Sequence, residues 1–161
     1  MDLIFWRHAE AEEPTAGMAD LDRRLTAKGR RQARQVGAWL KLRLPEDCRV
    51  LASPARRTCE TVAALGRPFE IEPGIAPTAT AGDVLAAAAR NGGARAVLLV
   101  GHQPCLGEAI RYLLLGGDER VREGGLSVRK GAVWWLRCAG DDVGPGARAT
   151  VRAVIGPEFV A

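Results

Sequence analysis

The sequence predicts an α/β fold: a three-layer sandwich with a mainly parallel central sheet and helices on both faces. Three observations predict it. Short apolar runs alternate with helical patterns over the first two thirds of the chain, as a parallel sheet requires. The clearest run, Ala96-Val-Leu-Leu-Val100, reads as a buried strand. The last two strand patterns have no helix between them, so they are expected to pair antiparallel at or near one edge. The 161 residues fit one domain spanning 1–161, a size at which roughly two thirds of the unfolded chain's surface is buried on folding. With 47% hydrophobic and 26% charged residues, the composition is that of a globular protein rather than a disordered one.

The elements follow in order. Asp2 to Trp6 is an apolar run ending abruptly in Arg7-His8 and reads as a buried strand. The acidic stretch from Glu10 to Asp22 carries Pro14 and Gly17 and reads as a loop. Thr26 can cap a helix to about Leu44, with Val36, Trp39, Leu40 and Leu44 at helical spacing and Pro45 as its stop. Gly29 and Gly37 weaken that helix. Arg49 to Ser53 is a second strand, and Pro54 suits the first turn of a helix running to Leu65 and ended by Gly66. Phe69 to Ile71 is a third strand, Glu72 to Thr80 a loop, and Asp83 to Arg90 an alanine-rich helix. After Ala96–Val100 comes Gly101-His102, then a helix from Pro104 to Leu115 closed by Gly116-Gly117. Ala132 to Cys138 and Ala149 to Ile155 are the final strands, joined by a Gly/Pro/Asp loop. Trp134 and Trp135 are adjacent in a strand, so their rings point to opposite faces.

Charge and cysteines narrow the function. The net charge is +4, and arginine supplies most of it; the lysines are Lys28, Lys41 and Lys130. The basic pairs Arg23-Arg24, Arg30-Arg31 and Arg56-Arg57 are too sparse for a nucleic-acid surface. Cys48, Cys59, Cys105 and Cys138 show no metal spacing, and no acid-rich cluster points to a metal. No apolar run approaches the roughly 18 residues of a membrane helix. The amino terminus lacks a secretory pattern. A cytoplasmic monomer with reduced thiols, no cofactor, no metal, no nucleic acid and no membrane is therefore expected.

Three strands end in reactive or cationic groups: Arg7-His8, Ser53-Pro-Ala-Arg-Arg57 and Gly101-His102. Ligand sites of open α/β sheets form at the carboxyl ends of strands, so these groups should share one edge. The set suits a phosphoryl group. Guanidinium forks match phosphate oxygens. Helix amino termini add N–H groups, and a neutral imidazole is a competent nucleophile.

The same residues resemble a known family. LIFWRHAE (Leu3 to Glu10) resembles the RHG signature of the histidine phosphatase superfamily, the phosphoglycerate-mutase-like fold. SPARRTCET (Ser53 to Thr61) resembles its SPxxRAxQT element, and Val100-Gly-His102 its late (S/G)H element. The short chain, the RHAEAE opening and TAGDV (Thr80 to Val84) look most like the SixA-type phosphohistidine phosphatases. The resemblance implies that His8 is a catalytic nucleophile forming phosphohistidine. It further implies that Arg7, Arg57 and His102 are catalytic and bind phosphate, with Arg56 ranking below Arg57. Its implied substrate is a histidine-phosphorylated protein. A small phosphate ester is the alternative, and a non-catalytic phosphate-binding module the remote one.

Two departures bear on that expectation. Ala9 stands where the family has glycine, which is tolerable at negative φ. Where relatives often carry a general acid, this chain reads Pro73-Gly74-Ile75; Glu10, Glu12 and Asp83 remain as candidate acids, though each reads more readily as a solvated or capping carboxylate. A missing acid favours a substrate whose leaving group is a weaker base than an alkoxide, such as the imidazole of phosphohistidine. His8 also needs one ring nitrogen held, and a backbone carbonyl is the expected partner.

Overall fold

The computed structural model describes residues 1–116, 126–140, 143–144 and 146–160. Along the chain run β1 (Asp2–Arg7), α1 (Ala27–Lys41), β2 (Arg49–Ala52), α2 (Arg56–Ala63), β3 (Glu70–Ile71), α3 (Ala81–Ala89), β4 (Ala96–Gly101), α4 (Cys105–Leu114), β5 (Val133–Cys138) and β6 (Ala149–Ile155). The strands form one sheet in the order β3-β2-β4-β1-β5-β6. β3, β2, β4 and β1 pair in parallel, whereas β5 and β6 add antiparallel at one edge.

Alternation along the central strands builds two cores. Leu3, Phe5, Leu51, Val97, Leu99 and Leu136 pack with Val84 of α3 and Leu106 and Ile110 of α4. Ile4, Trp6, Val50, Leu98, Val100 and Trp135 pack with Val36 and Leu40 of α1 and Val62 of α2. This is the expected three-layer α/β sandwich. Trp134 and Trp135 divide between the two cores as neighbouring strand residues must. A one-residue slip of β1 against β4 would exchange these faces, so register is firmly specified.

Several boundaries differ from the sequence-based expectation. α1 stops at Lys41, yet Leu44 still packs in the core beyond the helix. α2 begins at Arg56, not Pro54, because Ala55 is its extended N-cap. α3 begins at Ala81, earlier than Asp83, because Thr80 and Asp83 form a capping box. The two stretches expected as loops each hold a 3₁₀ turn, Asp20–Asp22 and Pro73–Ile75; a third turn is Pro157–Phe159. Gly116 follows α4 at φ +70°, whereas Gly117, with Asp141, Asp142 and Pro145 of the last loop, lies outside the described residues.

The glycines of α1 are contacts rather than defects. A Cβ on Gly29 would lie 1.9 Å from the carbonyl oxygen of Glu10, and one on Gly37 would lie 2.8 Å from that of Ala64. Gly29 thus seats the start of α1 directly on the backbone two residues beyond His8. The Thr26 N–H completes this contact by donating to Glu10 O at 3.0 Å.

Helix propensity alone would have Gly29→Ala stabilise α1 by about 1 kcal/mol. A backbone atom cannot give way as a side-chain tip can, so the expected result is a net loss of about 1–3 kcal/mol, the range of an overpacked core. Urea denaturation of the variant checks the sign.

Candidate active site

Register builds the site. Arg7 lies opposite Gly101 across β1 and β4, and Ala52 lies opposite Val100 across β2 and β4. The next residues, His8, His102 and Ser53, therefore leave the sheet side by side. The ring centroids of His8 and His102 are 5.3 Å apart, close to the roughly 4.8 Å between neighbouring strands. His8 is 6% exposed, His102 3% and Arg57 4%.

Each ring is held in one orientation. The His8 Nδ1–H donates to the carbonyl of Ala9 at 2.7 Å, which leaves Nε2 without a partner among the described residues. The backbone of His8 is pinned at both ends: its N–H donates to Gly101 O at 3.1 Å, and its carbonyl accepts from Gly131 N at 3.0 Å. The N–H of Ala9 donates to Thr61 Oγ1 at 3.0 Å, and that hydroxyl donates to Arg57 O at 2.7 Å. Thr61 so ties the His8 turn to the helix carrying Arg57. Ala9 does not have positive φ, so its Cβ is accommodated. His102 Nε2 meets Ser53 Oγ at 2.7 Å, and Arg57 Nη2 approaches its Nδ1 at 3.4 Å. A guanidinium can only donate, so Nδ1 is the acceptor and Nε2 carries the proton.

The arginines are anchored yet incompletely used. Arg7 Nη1 donates to Val128 O at 2.8 Å. Arg57 Nη1 donates to Asp20 O at 2.7 Å, and its Nη2 meets Asp20 Oδ2 at 2.9 Å. The Nε atoms of Arg7 and Arg57 are the buried side-chain polar atoms without a hydrogen-bond partner among the described residues. Buried donors are rarely left unpaired, and both orphans belong to the arginines expected to face phosphate. Arg56 instead lies exposed against Glu60 at 2.9 Å.

Burial and neighbouring charge keep both imidazoles neutral. The His8 pKa falls to about 4: burial dominates and the charges of Arg57, Arg7 and Lys130 add to it, against the opposing Ala9 bond. That of His102 falls to about 3 through burial, then the charges of Arg57 and His8. A neutral His8 with its Nε2 lone pair free is the protonation state of a nucleophile.

The candidate acids lie elsewhere or are already engaged. The Asp83 carboxylate accepts from Thr80 N at 2.8 Å and Thr80 Oγ1 at 2.7 Å, a helix cap. Glu10 pairs with Lys28 at 3.0 Å and accepts from Thr26 Oγ1 at 2.9 Å. Glu12 is exposed in the loop beyond. The carboxylate that does reach the site is Asp20, which also meets Arg23 at 3.1 Å. Burial pushes Asp20 up, but Arg57 and Arg23 outweigh it and hold its carboxyl below the usual range. Ser53 and Thr61 are the other supports whose roles sequence reasoning left unassigned. Cys105 is buried, donates its S–H to His102 O at 3.2 Å, and has its thiol pushed up by burial, which marks it as inert.

Comparison with known proteins bears on the family and the fold. A family model described as the histidine phosphatase superfamily, branch 1, matches residues 3–80. An uncharacterized protein of Mycobacterium tuberculosis is 35% identical over 161 residues, covering 90% of this chain and 96% of its own. A phosphohistidine phosphatase SixA homolog of Haemophilus influenzae is 32% identical over 128 residues, covering 70% of this chain and 77% of its own. The solved structure of a protein histidine phosphatase SixA with tungstate superposes with a TM-score of 0.80 at 24% identity, covering 100% of both chains. That last likeness concerns the fold.

Two outcomes follow from the charges. In the free protein both imidazoles should keep neutral-ring signals in ¹H–¹⁵N spectra from pH 8 down to pH 5; a midpoint near the ordinary value of about 6.5 for either ring would contradict the burial argument. Asp20→Asn should tighten inhibition by inorganic phosphate about two- to fivefold, the scale of a half-exposed ion pair, because a carboxylate no longer competes for Arg57.

Proposed function

The chain belongs to the histidine phosphatase superfamily, branch 1, and from that premise we propose that it hydrolyses phosphohistidine on a protein through a phosphorylated His8. The observation that carries the reading is the neutral His8, its Nδ1 taken by Ala9, set beside the buried Arg57 and the half-buried Arg7, whose Nε atoms are both buried and unpartnered among the described residues. The chain is SixA-like in structure, and its relative in Haemophilus influenzae bears that name.

The chemistry divides into two transfers. The Nε2 lone pair of His8 attacks phosphorus in line, and the P–N bond of the substrate breaks. The departing imidazole leaves neutral because its other nitrogen carries a proton. Phosphorylated His8 is then attacked by water, its P–N bond breaks, and inorganic phosphate leaves with the protons of that water. Arg7 and Arg57 hold the equatorial oxygens throughout; His102, whose Nδ1 faces Arg57 and whose Nε2–H goes to Ser53, joins them only when the phosphoryl dianion takes the place of Arg57 at Nδ1 and brings a proton there, so positioning and electrostatics supply the catalysis. We place the reaction in the cytoplasm and without a metal, with the guanidinium groups as the source of positive charge.

One observation favours a second reading, a small phosphate ester. Asp20 lies at Arg57, within reach of a bound phosphoryl group's surroundings, and an alkoxide needs an acid. Its lowered pKa opposes the role, since it leaves Asp20 ionised and unable to donate a proton. The phosphohistidine reading stands first for that reason.

The test uses a histidine-phosphorylated protein and p-nitrophenyl phosphate in chelator. His8→Ala should reduce turnover of both by at least about a thousandfold, the scale of losing a nucleophile. Persisting turnover would exclude the mechanism. Asp20→Asn should leave phosphohistidine hydrolysis within a few-fold; a selective collapse of activity on alkyl phosphates would move the assignment to esters.

A further inference from the structure

Beside the site lies a groove of about 710 Å³ that the phosphoryl transfer does not use. Arg7 is one of its lining residues, so it adjoins the candidate phosphate-binding set through that side chain. Its other cations are Lys28 and Arg31 of α1, one helical turn apart, and Arg129 and Lys130 of the segment leading into β5. Against these five stand two carboxylates, each already paired: Glu10 with Lys28 at 3.0 Å and Glu158 with Arg129 at 3.1 Å. Arg31 and Lys130 are exposed and have no ion-pair partner among the described residues. Lys130 is near enough to add to the positive field at His8.

The groove is far larger than one phosphoryl group needs, and its charge is spread along it rather than focused at a point. No aromatic ring among the described residues lines it, so these residues offer none of the stacking platforms that single-stranded nucleic acid uses. Its floor includes Gln32 and Gln35, which bring amides suited to carboxylates and peptide groups.

We propose that this groove docks a carboxylate-rich segment of the phosphorylated protein, next to the residue that enters the His8 site. The inference rests on the phosphohistidine reading and adds to it the chemistry of the partner. Complementary charge of this kind speeds encounter and selects among partners. It also explains how a small enzyme with a buried nucleophile distinguishes one phosphoprotein from another.

Two measurements test it. The first needs no turnover: fluorescence anisotropy of a labelled oligoglutamate peptide at low salt, on wild type and on Arg31→Glu/Gln35→Glu. Both residues line the groove from α1, Arg31 exposed and Gln35 half-buried, and both substitutions keep good helix formers. Binding should weaken at least about tenfold in the variant and fall with added salt. The second compares phosphohistidine peptides flanked by Glu or by Gln. Wild type should show a lower KM for the Glu peptide at similar kcat, the variant should lose that preference, and p-nitrophenyl phosphate turnover should not change. Equal KM for both flanks, equal oligoglutamate binding by both proteins, or tighter binding of an oligonucleotide than of oligoglutamate would overturn the proposal. If oligoglutamate binds as expected but wild type releases no phosphate from either peptide, the groove stands and the phosphatase reading falls.

Discussion

Parallel pairing of β1 with β4 is the constraint from which the rest of the site follows. Both strands are buried on both faces, so their side chains fill two cores at once. Sliding one strand by a residue would turn an entire row of Leu, Ile, Val and Phe to the wrong layer. Fully burying one such side chain is worth about 1.5–3 kcal/mol, and several would be misplaced together. The packing of the interior therefore fixes where the strands stop. Two imidazoles emerge 5.3 Å apart because the last paired residues are Arg7 and Gly101.

Position alone would not make His8 reactive; the same burial also sets its charge. Two guanidinium groups beside two rings make protonation of either ring unfavourable, and exclusion of water sharpens the effect. The site consequently keeps its positive charge on groups that cannot lose it and leaves His8, the proposed nucleophile, unprotonated. Asp20 balances part of that charge by holding two nitrogens of Arg57. Its side chain is 54% exposed on a three-residue turn, so in the proposed reaction a phosphoryl dianion would displace a loosely held group rather than a buried one.

Much of this was legible in the sequence, for an identifiable reason. A buried strand that ends in a polar residue marks its own terminus, and His8, Ser53 and His102 all follow apolar runs. The family resemblance ranks Arg57 over Arg56; in the structure Arg57 turns inward to His102 while Arg56 pairs with Glu60 outside. Asp20 was not legible. It is one of several carboxylates in an acidic stretch, and only the fold of that stretch brings it to a helix 37 residues later. Lys130 and Val128 reach the site through antiparallel pairing of β5 with β1, a contact more than 120 residues distant in sequence. Gly29 was read from propensity, which weighs the helix by itself; its value lies in the backbone it touches.

Chemistry and recognition are thus assigned to different depths of the same surface. The two imidazoles and Arg57 are buried, and the excess positive charge of the site is only partly balanced by Asp20. The cations of the groove are exposed, where each is individually worth little and is screened by salt. Their effect comes from number and from continuity with Arg7, which belongs to both regions. A partner with scattered carboxylates gains little from such a surface, whereas one that places them beside its phosphorylated residue is aligned before its phosphoryl group meets His8. Selectivity can then change through substitutions on α1 and the segment before β5, while the register that holds the two imidazoles together stays intact.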